Sequence, residues 1–336
     1  MFLRSRLRRA ALTTTACAVL VTACGGSTQP GDDTPGSGGP SAISGAAAPE
    51  TAGSPAPSRA GVVPTELQPA LDGAPSRPRT PREAAAMVEA AQAVIRSDDP
   101  DRALLTAAGH TEQLVVREIA SHRRWLPRVL GLLPARLRKH VRAGVAARHE
   151  FRSMHPTSDR DLASELPAWR IVDPAPAEVL LRSYREAERR YGVDWEYLAA
   201  INLVETAMGR IRGTSVAGAQ GPMQFIPTTW DIYGEGGDIN NAHDAILAAA
   251  RLLRANGFAR DKGAALWRYN NSWAYVRGVT HHAEVMRRDP RQLRGYLAWQ
   301  VYYLTRRGSV WLPTGYERRQ PVSVASYLRR HPERLP

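Results

Sequence analysis

The stretch DWEYLAAINLVETAMG, residues 194–209, decides the fold class, because its apolar residues recur at helical spacing. Asp194 suits the cap of this helix and Gly209 suits its end. Residues spaced by 3, 4 and 3 share one face: Leu198, Ile201, Glu205 and Met208. Glu205 carries the only charge among these four, so we expect its carboxyl group in an apolar environment near the helix end.

A carboxyl group in such surroundings has a raised pKa, because loss of hydration disfavours the charged form. It stays protonated near neutral pH, as a general acid for a glycosidic oxygen requires. The alternative is a partly exposed glutamate at a helix terminus, and the spacing alone favours that alternative.

A loop with two glycines and a proline follows, GAQGPMQFIPTTW, residues 218–230. Gln224 can donate to and accept from an amide or a hydroxyl, and Thr228 can cap the next helix. Three side chains offer apolar surface of the kind on which sugar rings pack: Met223, Phe225 and Trp230. In the alternative interpretation, the loop is a structural turn and these three side chains lie in the core.

A third stretch, WRYNNSWAYV, covers residues 267–276. Its Tyr269, Asn270 and Tyr275 belong to residue types that often contact sugars, since each offers a polar group beside or on a flat surface. This composition does not establish a binding site by itself.

Together, the three stretches resemble the lytic transglycosylases, in particular membrane-bound lytic transglycosylase B and its actinobacterial lipoprotein relatives. The motifs occur in order: Val204-Glu205-Thr206 with Gly209, then Gly218-Ala219-x-Gly221-x-x-Gln224-Phe225-x-Pro227, then Tyr269-Asn270. The likeness runs from about residue 169 to residue 303. It implies a mainly α fold, in which a lysozyme-like catalytic domain follows a small helical subdomain.

The resemblance also implies roles for single residues. It makes Glu205 the catalytic acid/base, and it places Ser215 and Gln224 near the glutamate or the sugar. The set expected to bind substrate is Ser215, Gln220, Met223, Gln224, Phe225, Tyr269, Asn270 and Tyr275. The implied reaction cleaves the β-1,4 bond between N-acetylmuramic acid and N-acetylglucosamine in peptidoglycan. It leaves a 1,6-anhydro product and needs no cofactor.

Three other functions remain open at this point. A muramidase would use water and a second carboxylate, for which Asp231, Glu235 and Asp238 lie in a suitable loop. A non-catalytic lipoprotein could use the same groove to hold peptidoglycan, although it would have no need to keep Glu205. A helical adaptor without glycan contact rests on the N-terminal helices alone.

The sequence predicts no metal site. An EF-hand loop beginning at Asp238 needs glycine at its sixth position and glutamate at its twelfth, where this chain has His243 and Ala249. His281 and His282 are adjacent on a helix, so their side chains point apart.

The first residues predict export and lipidation. A basic segment and a short apolar stretch precede Val21-Thr22-Ala23-Cys24, which resembles a bacterial lipobox. Residues 1–24 are therefore expected to be a lipoprotein signal peptide with the lipid on Cys24, and an ordinary cleaved signal peptide is the alternative. The protein would then lie outside the cytoplasm, anchored to the cell membrane and facing the cell wall.

The remaining chain divides by composition. Residues 25–79 are rich in glycine, proline, serine and alanine, which predicts a disordered tether. Residues 80–165 begin with a helix cap at Thr80 and predict a helical subdomain. Residues 166–310 form the expected catalytic domain, which includes a clear helix at residues 242–256, and residues 311–336 form a basic tail.

The net charge limits the classes of partner that we expect. The chain has 45 Lys and Arg residues against 32 Asp and Glu, a net charge of +13, which favours contact with anionic lipids and cell-wall polymers. Nucleic acid is not expected, because no groove-reading motif occurs. Partners in a cell-wall synthesis complex are compatible with this location.

Overall fold

The computed structural model describes residues 63–154, 158 and 161–336. The expected signal peptide, Cys24 and most of the tether lie outside the described residues. Five helices make up the N-terminal part: α1 (Gln68–Leu71), α2 (Pro81–Arg96), α3 (Arg102–Ser121), α4 (Trp125–Leu132) and α5 (Ala135–Met154). The mainly α class predicted from the sequence is confirmed for these ranges.

Seven helices surround the functional motifs: α6 (Ala177–Tyr191), α7 (Trp195–Thr206), α8 (Pro227–Tyr233), α9 (Ala242–Ala255), α10 (Lys262–Tyr269), α11 (Trp273–Arg288) and α12 (Gln292–Ala298). The predicted helix at residues 242–256 is α9, and Asn241 caps it by accepting from the backbone N–H of His243 at 2.9 Å. No helix in the described ranges is both long and apolar enough to cross a membrane.

Short antiparallel strand pairs tie the C-terminal part to the rest of the chain. Their bounds are β1 (Glu165–Leu166), β2 (Arg170–Ile171), β3 (Ile211–Arg212), β4 (Val301–Thr305), β5 (Gly308–Leu312) and β6 (Val322–Ser323). β1 pairs with β6, β2 with β3, and β4 with β5. A last helix, α13 (Val324–Arg330), follows β6.

Residues 311–336 are therefore not a tail, and that prediction was wrong. Tyr316 and Tyr327 are buried and contact each other edge to face at 5.8 Å between ring centroids. They join a hydrophobic cluster with Leu166 and Ile171, from the stretch that the sequence assigned to the start of the catalytic domain. The many arginines hid this apolar pattern, because the buried residues are widely spaced among charged ones.

The end of the predicted tether is also folded. A 3-10 turn at Thr65–Leu67 leads into α1, and Leu67 is fully buried against Ala91 and Ile95 of α2. Order therefore begins before residue 80. A single leucine was too weak a signal against the surrounding polar composition.

The N-terminal helices pack directly on the expected catalytic domain. Phe151 of α5 belongs to the same hydrophobic core as Leu198 of α7 and Val279 of α11. α5 approaches α11 closely at Gly278, where a Cβ atom would lie 2.5 Å from the Phe151 ring. α5 thus supports α11, which carries part of the site.

The predicted caps have mixed outcomes. Thr80 accepts from the backbone N–H of Glu83 at 3.1 Å, which confirms the cap of α2. Glu83 reaches one residue further back than a capping box requires and accepts from the backbone N–H of Arg79 at 2.6 Å. The prediction for Thr228 was wrong: α8 begins at Pro227, and its cap residue is Ile226.

Candidate active site

Glu205 lies one residue before the end of α7 and is 2% exposed. Its Oε1 atom accepts a hydrogen bond from the Tyr275 hydroxyl at 2.8 Å. Its Oε2 atom is buried and has no hydrogen-bond partner. The expectation of a carboxyl group in apolar surroundings is confirmed, and the alternative of an exposed terminal glutamate is wrong.

The surroundings of Glu205 differ from the predicted single apolar face. Eleven of the twelve α7 residues are buried, and Glu196 is the exception. The helix runs through the core, so almost any position after its first turn would have placed a glutamate in an apolar environment. The 3-4-3 spacing correctly placed Glu205 in apolar surroundings, but it predicted a single apolar face where nearly the whole helix is buried.

Burial raises the pKa of Glu205 from 4.5 to about 8, and the hydrogen bond from Tyr275 acts in the opposite direction. The carboxyl group is therefore protonated at neutral pH, and Oε2 can carry the proton as a hydroxyl donor. Burial, followed by the charge of Glu205, raises the pKa of Tyr275 and Tyr269 well above the ordinary tyrosine value. Both tyrosines stay neutral donors.

The end of α7 has an unusual backbone. The helix stops at Thr206, and Ala207, Met208 and Gly209 follow with positive φ angles of 52°, 65° and 79°. Gly209 lies beyond the helix end rather than at it. Asp194 does occupy the N-cap position, although its side chain makes no capping hydrogen bond.

Two polar side chains of α7 hold the glycine-rich loop. Thr206 donates from Oγ1 to the Pro222 carbonyl at 2.6 Å, and Asn202 donates from Nδ2 to the same carbonyl at 2.8 Å. Tyr184 of α6 donates to Asn202 Oδ1 at 2.7 Å and fixes the amide orientation. Sequence analysis missed these residues. Their signal was two polar residues four positions apart inside an otherwise apolar helix.

The loop itself is a tight reversal. Gln220 and Phe225 exchange two backbone hydrogen bonds of 2.9 Å. Gly221 has a φ of +73°, and a Cβ atom there would lie 1.8 Å from the Ile239 carbonyl oxygen, so no other residue fits. Gln224 also has a positive φ, of 50°.

Gln224 keeps one polar atom unpaired. Its Nε2 atom donates to the Gly221 carbonyl at 3.0 Å, while its Oε1 atom is buried without a partner. The expected set thus leaves two buried oxygens unsatisfied, one on Glu205 and one on Gln224. Each such group costs about 1–3 kcal/mol in the folded chain.

Aromatic rings connect the loop to Glu205. Tyr269 stacks parallel to Tyr275 at 6.4 Å between centroids, and its hydroxyl donates to the Met223 carbonyl at 2.7 Å. Phe225 packs edge to face on Tyr269 at 6.1 Å. The structure therefore brings together five of the residues predicted from the three motifs: Glu205, Tyr275, Tyr269, Met223 and Phe225.

The exposure of these residues bears on their roles. Met223 and Phe225 are 0% and 3% exposed and belong to the core, which favours the packing interpretation over a surface for sugar rings. Asn270 is buried just after α10. Ser215 accepts from the backbone N–H of Ala219 at 3.0 Å and so closes the turn before the loop.

The acidic side chains suggested for a second carboxylate are exposed. Glu235 pairs with Arg251 at 2.8 Å. Asp238 accepts from the backbone N–H of Asn240 at 2.8 Å, and Asp231 lies exposed on α8. Within the described ranges, no acidic side chain is among the groups that shift the pKa of Glu205. The same ranges contain no cluster of three or more His, Cys, Asp or Glu residues able to hold a metal ion.

Comparison with protein-family models, with curated proteins and with solved structures finds no match for this chain.

Proposed function

We propose that this chain is a peptidoglycan lytic transglycosylase whose catalytic domain is lysozyme-like. It cleaves the β-1,4 bond between N-acetylmuramic acid and N-acetylglucosamine, and Glu205 is its acid/base. The state of the Glu205 carboxyl group carries this proposal: it is buried, protonated at neutral pH, held through one oxygen by Tyr275, and unpaired at the other oxygen.

The proposed chemistry needs one carboxyl group in two successive roles. Glu205 donates its proton to the oxygen of the leaving N-acetylglucosamine as the bond to C1 of the muramic acid breaks. The resulting carboxylate then takes the proton of the muramic acid 6-hydroxyl, whose oxygen bonds to C1. The 1,6-anhydro ring closes, no water is consumed, and Glu205 ends protonated as it began.

An intramolecular nucleophile removes the need for a second catalytic group, because the 6-hydroxyl is already held near C1. An inverting hydrolase would need a carboxylate about 6.5–9.5 Å from the acid to activate water. The three candidate acids are exposed and none of them is among the groups that shift the pKa of Glu205, which favours the lyase over the muramidase.

The two unpaired oxygens can form hydrogen bonds with groups of the substrate. A protonated Glu205 offers a donor at Oε2, and Gln224 offers an acceptor at Oε1. Glycan hydroxyls and acetamido groups can satisfy both. Because Glu205 is 2% exposed, a glycan oxygen reaches Oε2 only if neighbouring groups shift when it binds.

Location forms part of the proposal. Lipidation at Cys24 would hold the protein at the outer face of the cell membrane. The net charge of +13 suits a location beside anionic lipids and wall polymers. Proteins of a cell-wall synthesis complex are possible partners there.

Product analysis tests the proposal. Residues 25–336 are incubated with purified peptidoglycan, and the released muropeptides are measured by mass spectrometry. The lyase gives 1,6-anhydro products, which are lighter by one water than the reducing-end products of a muramidase. Glu205→Gln should abolish release, whereas Glu178→Gln, on the exposed face of α6, should not change it. Full activity of Glu205→Gln overturns the assignment, and binding without cleavage by the wild type favours a scaffold.

A further inference from the structure

A cavity of about 90 Å³ lies behind α7, between that helix, α3, α5 and the segment just before β4. Leu203, Val204 and Ala207 form its α7 wall. Two residues along a helix turn the side chain by about 200°, so Leu203 points roughly opposite to Glu205. The cavity is therefore separate from the proposed glycan site.

Two arginines line this cavity, and a third adjoins it. Arg117 of α3 and Arg148 of α5 are lining residues, and Arg152 follows one turn after Arg148. In the described part of the chain, none of the three forms an ion pair with a carboxylate. The nearest acid to Arg117 on its own helix, Glu118, points its carboxylate at His122, 3.4 Å away.

The hydrogen-bonding capacity of these arginines is largely unused. Arg117 donates from Nη2 to Ser309 Oγ at 2.7 Å and lies over the Tyr302 ring at 4.7 Å. The Nη1 atom of Arg152 is buried without an acceptor, and so is the indole Nε1 atom of Trp299, which also lines the cavity. Two buried donors in this region thus lack an acceptor from the described chain.

Burial and neighbouring positive charges lower the pKa of two of these arginines. Burial lowers the pKa of Arg117 to about 10, and the charge of Arg152 adds to this effect. Burial, followed by the charges of Arg117 and Arg152, lowers the pKa of Arg148 well below the ordinary arginine value. Like charges brought together on partly buried side chains are unfavourable unless an anion joins them.

The outer side of α5 offers a direct contrast. There Arg277 of α11 pairs with Glu150 through two hydrogen bonds of 2.8 Å. The chain thus supplies a carboxylate of α5 to this arginine of α11. It supplies none in the described ranges where three arginines meet at a cavity.

We propose that this cavity is a binding site for a compact oxyanion, a carboxylate or a phosphate group, held by Arg117, Arg148 and the Trp299 indole. Planar guanidinium groups match both kinds of oxyanion in geometry and charge. A volume of about 90 Å³ is enough for one such group. The ligand would contact the last turn of α7 from the side opposite Glu205. The site does not depend on the proposed glycan chemistry.

Calorimetric titration of residues 25–336 tests this site. The probes are inorganic phosphate and glycerol 3-phosphate in one arm and acetate and N-acetyl-D-alanine in the other, with chloride at matched ionic strength as the reference. We expect saturable binding in at least one arm at concentrations up to about 10 mM. The arm that binds more tightly identifies the source as a phosphate or a carboxylate.

Arg148→Met should weaken that binding by roughly tenfold or more, because it removes a charge-assisted hydrogen-bond donor. Without ligand, its unfolding temperature should stay equal to or exceed that of the wild type, since like-charge repulsion is relieved. Arg142→Gln, on the exposed side of α5, is the matched control and should bind as the wild type does. If Arg148→Met does not fold, Arg117→Gln is measured in its place.

Two results overturn the proposal. One is the absence of saturable binding by the wild type in both arms. The other is equal weakening by Arg142→Gln and the cavity variant, which would show that general surface charge attracts the anion.

Discussion

Replacing Glu205 with glutamine should change how the stability of the protein depends on pH. Burial raises the pKa of the Glu205 carboxyl group from 4.5 to about 8. The folded state therefore holds this proton more tightly than the unfolded state does. The free energy of unfolding falls as the pH rises from about 4.5 to about 8, because the unfolded chain releases this proton while the folded protein keeps it. Below pH 4.5 both states are protonated and the penalty is absent.

The size of the effect follows from the same two values. Each pH unit between the folded and unfolded pKa corresponds to about 1.4 kcal/mol, so the interval from 4.5 to about 8 is worth roughly 5 kcal/mol. Glutamine has the same shape and can still accept from Tyr275, but it does not titrate. The Glu205→Gln variant should match the wild type near pH 4. It should exceed the wild type by up to about 5 kcal/mol above pH 8.

Urea unfolding followed by circular dichroism, repeated across a pH series, measures this difference. Subtracting the wild-type curve from the variant curve removes the titration of all other groups. Glu178→Gln, exposed on α6, is the control and should give a flat difference. A flat difference for Glu205→Gln as well would refute the reasoning, since it would mean that water reaches the carboxyl group in the folded protein.

Three further changes test other parts of the structure. Tyr275→Phe removes the hydrogen bond that lowers the pKa of the Glu205 carboxyl group, so, if Glu205 is the acid/base, the alkaline limb of the pH–rate profile should move to higher pH. Gly221→Ala should cost about 3 kcal/mol or more in thermal unfolding, because its Cβ would collide with backbone, whereas Gly236→Ala has open space and should cost about 1 kcal/mol. Tyr327→Ala should destabilise the fold by about 3 kcal/mol, whereas exposed Arg329→Ala should be nearly neutral; equal small effects would mean that the C-terminal segment is not packed.

Local signals predicted the helices well. The cap at Thr80 and the apolar pattern of α9 are each contained within one short stretch of sequence, so no distant contact is needed to recognise them. The short strands carry no such signal. β1 and β6 have two residues each and pair across more than 150 positions, as Glu165 does with Ser323. Only the folded chain brings these residues together.

The site likewise contains residues that a local sequence pattern could identify and contacts that it could not. The motif order identified Glu205, and the choice of Tyr275 as a site residue came from its residue type. Its actual contact is with Glu205, 70 positions away, which no spacing rule could reveal. Met223 was predicted to contact sugar, but its side chain is fully buried. Its link to the site is through its backbone carbonyl, which accepts a hydrogen bond from Tyr269.

Each of the two proposed sites contains buried polar atoms without a hydrogen-bond partner, and the kind of atom differs between the two sites. At Glu205 the unpaired atom belongs to a protonated acid, which suits a neutral glycan oxygen. Behind α7 the unpaired donors accompany three cations, which suit an anion. Glu205→Gln should therefore abolish cleavage and leave oxyanion binding intact, while Arg148→Met should weaken oxyanion binding and leave the chemical nature of the released products unchanged. Because the two variants affect different measurements, the failure of either proposal leaves the other standing.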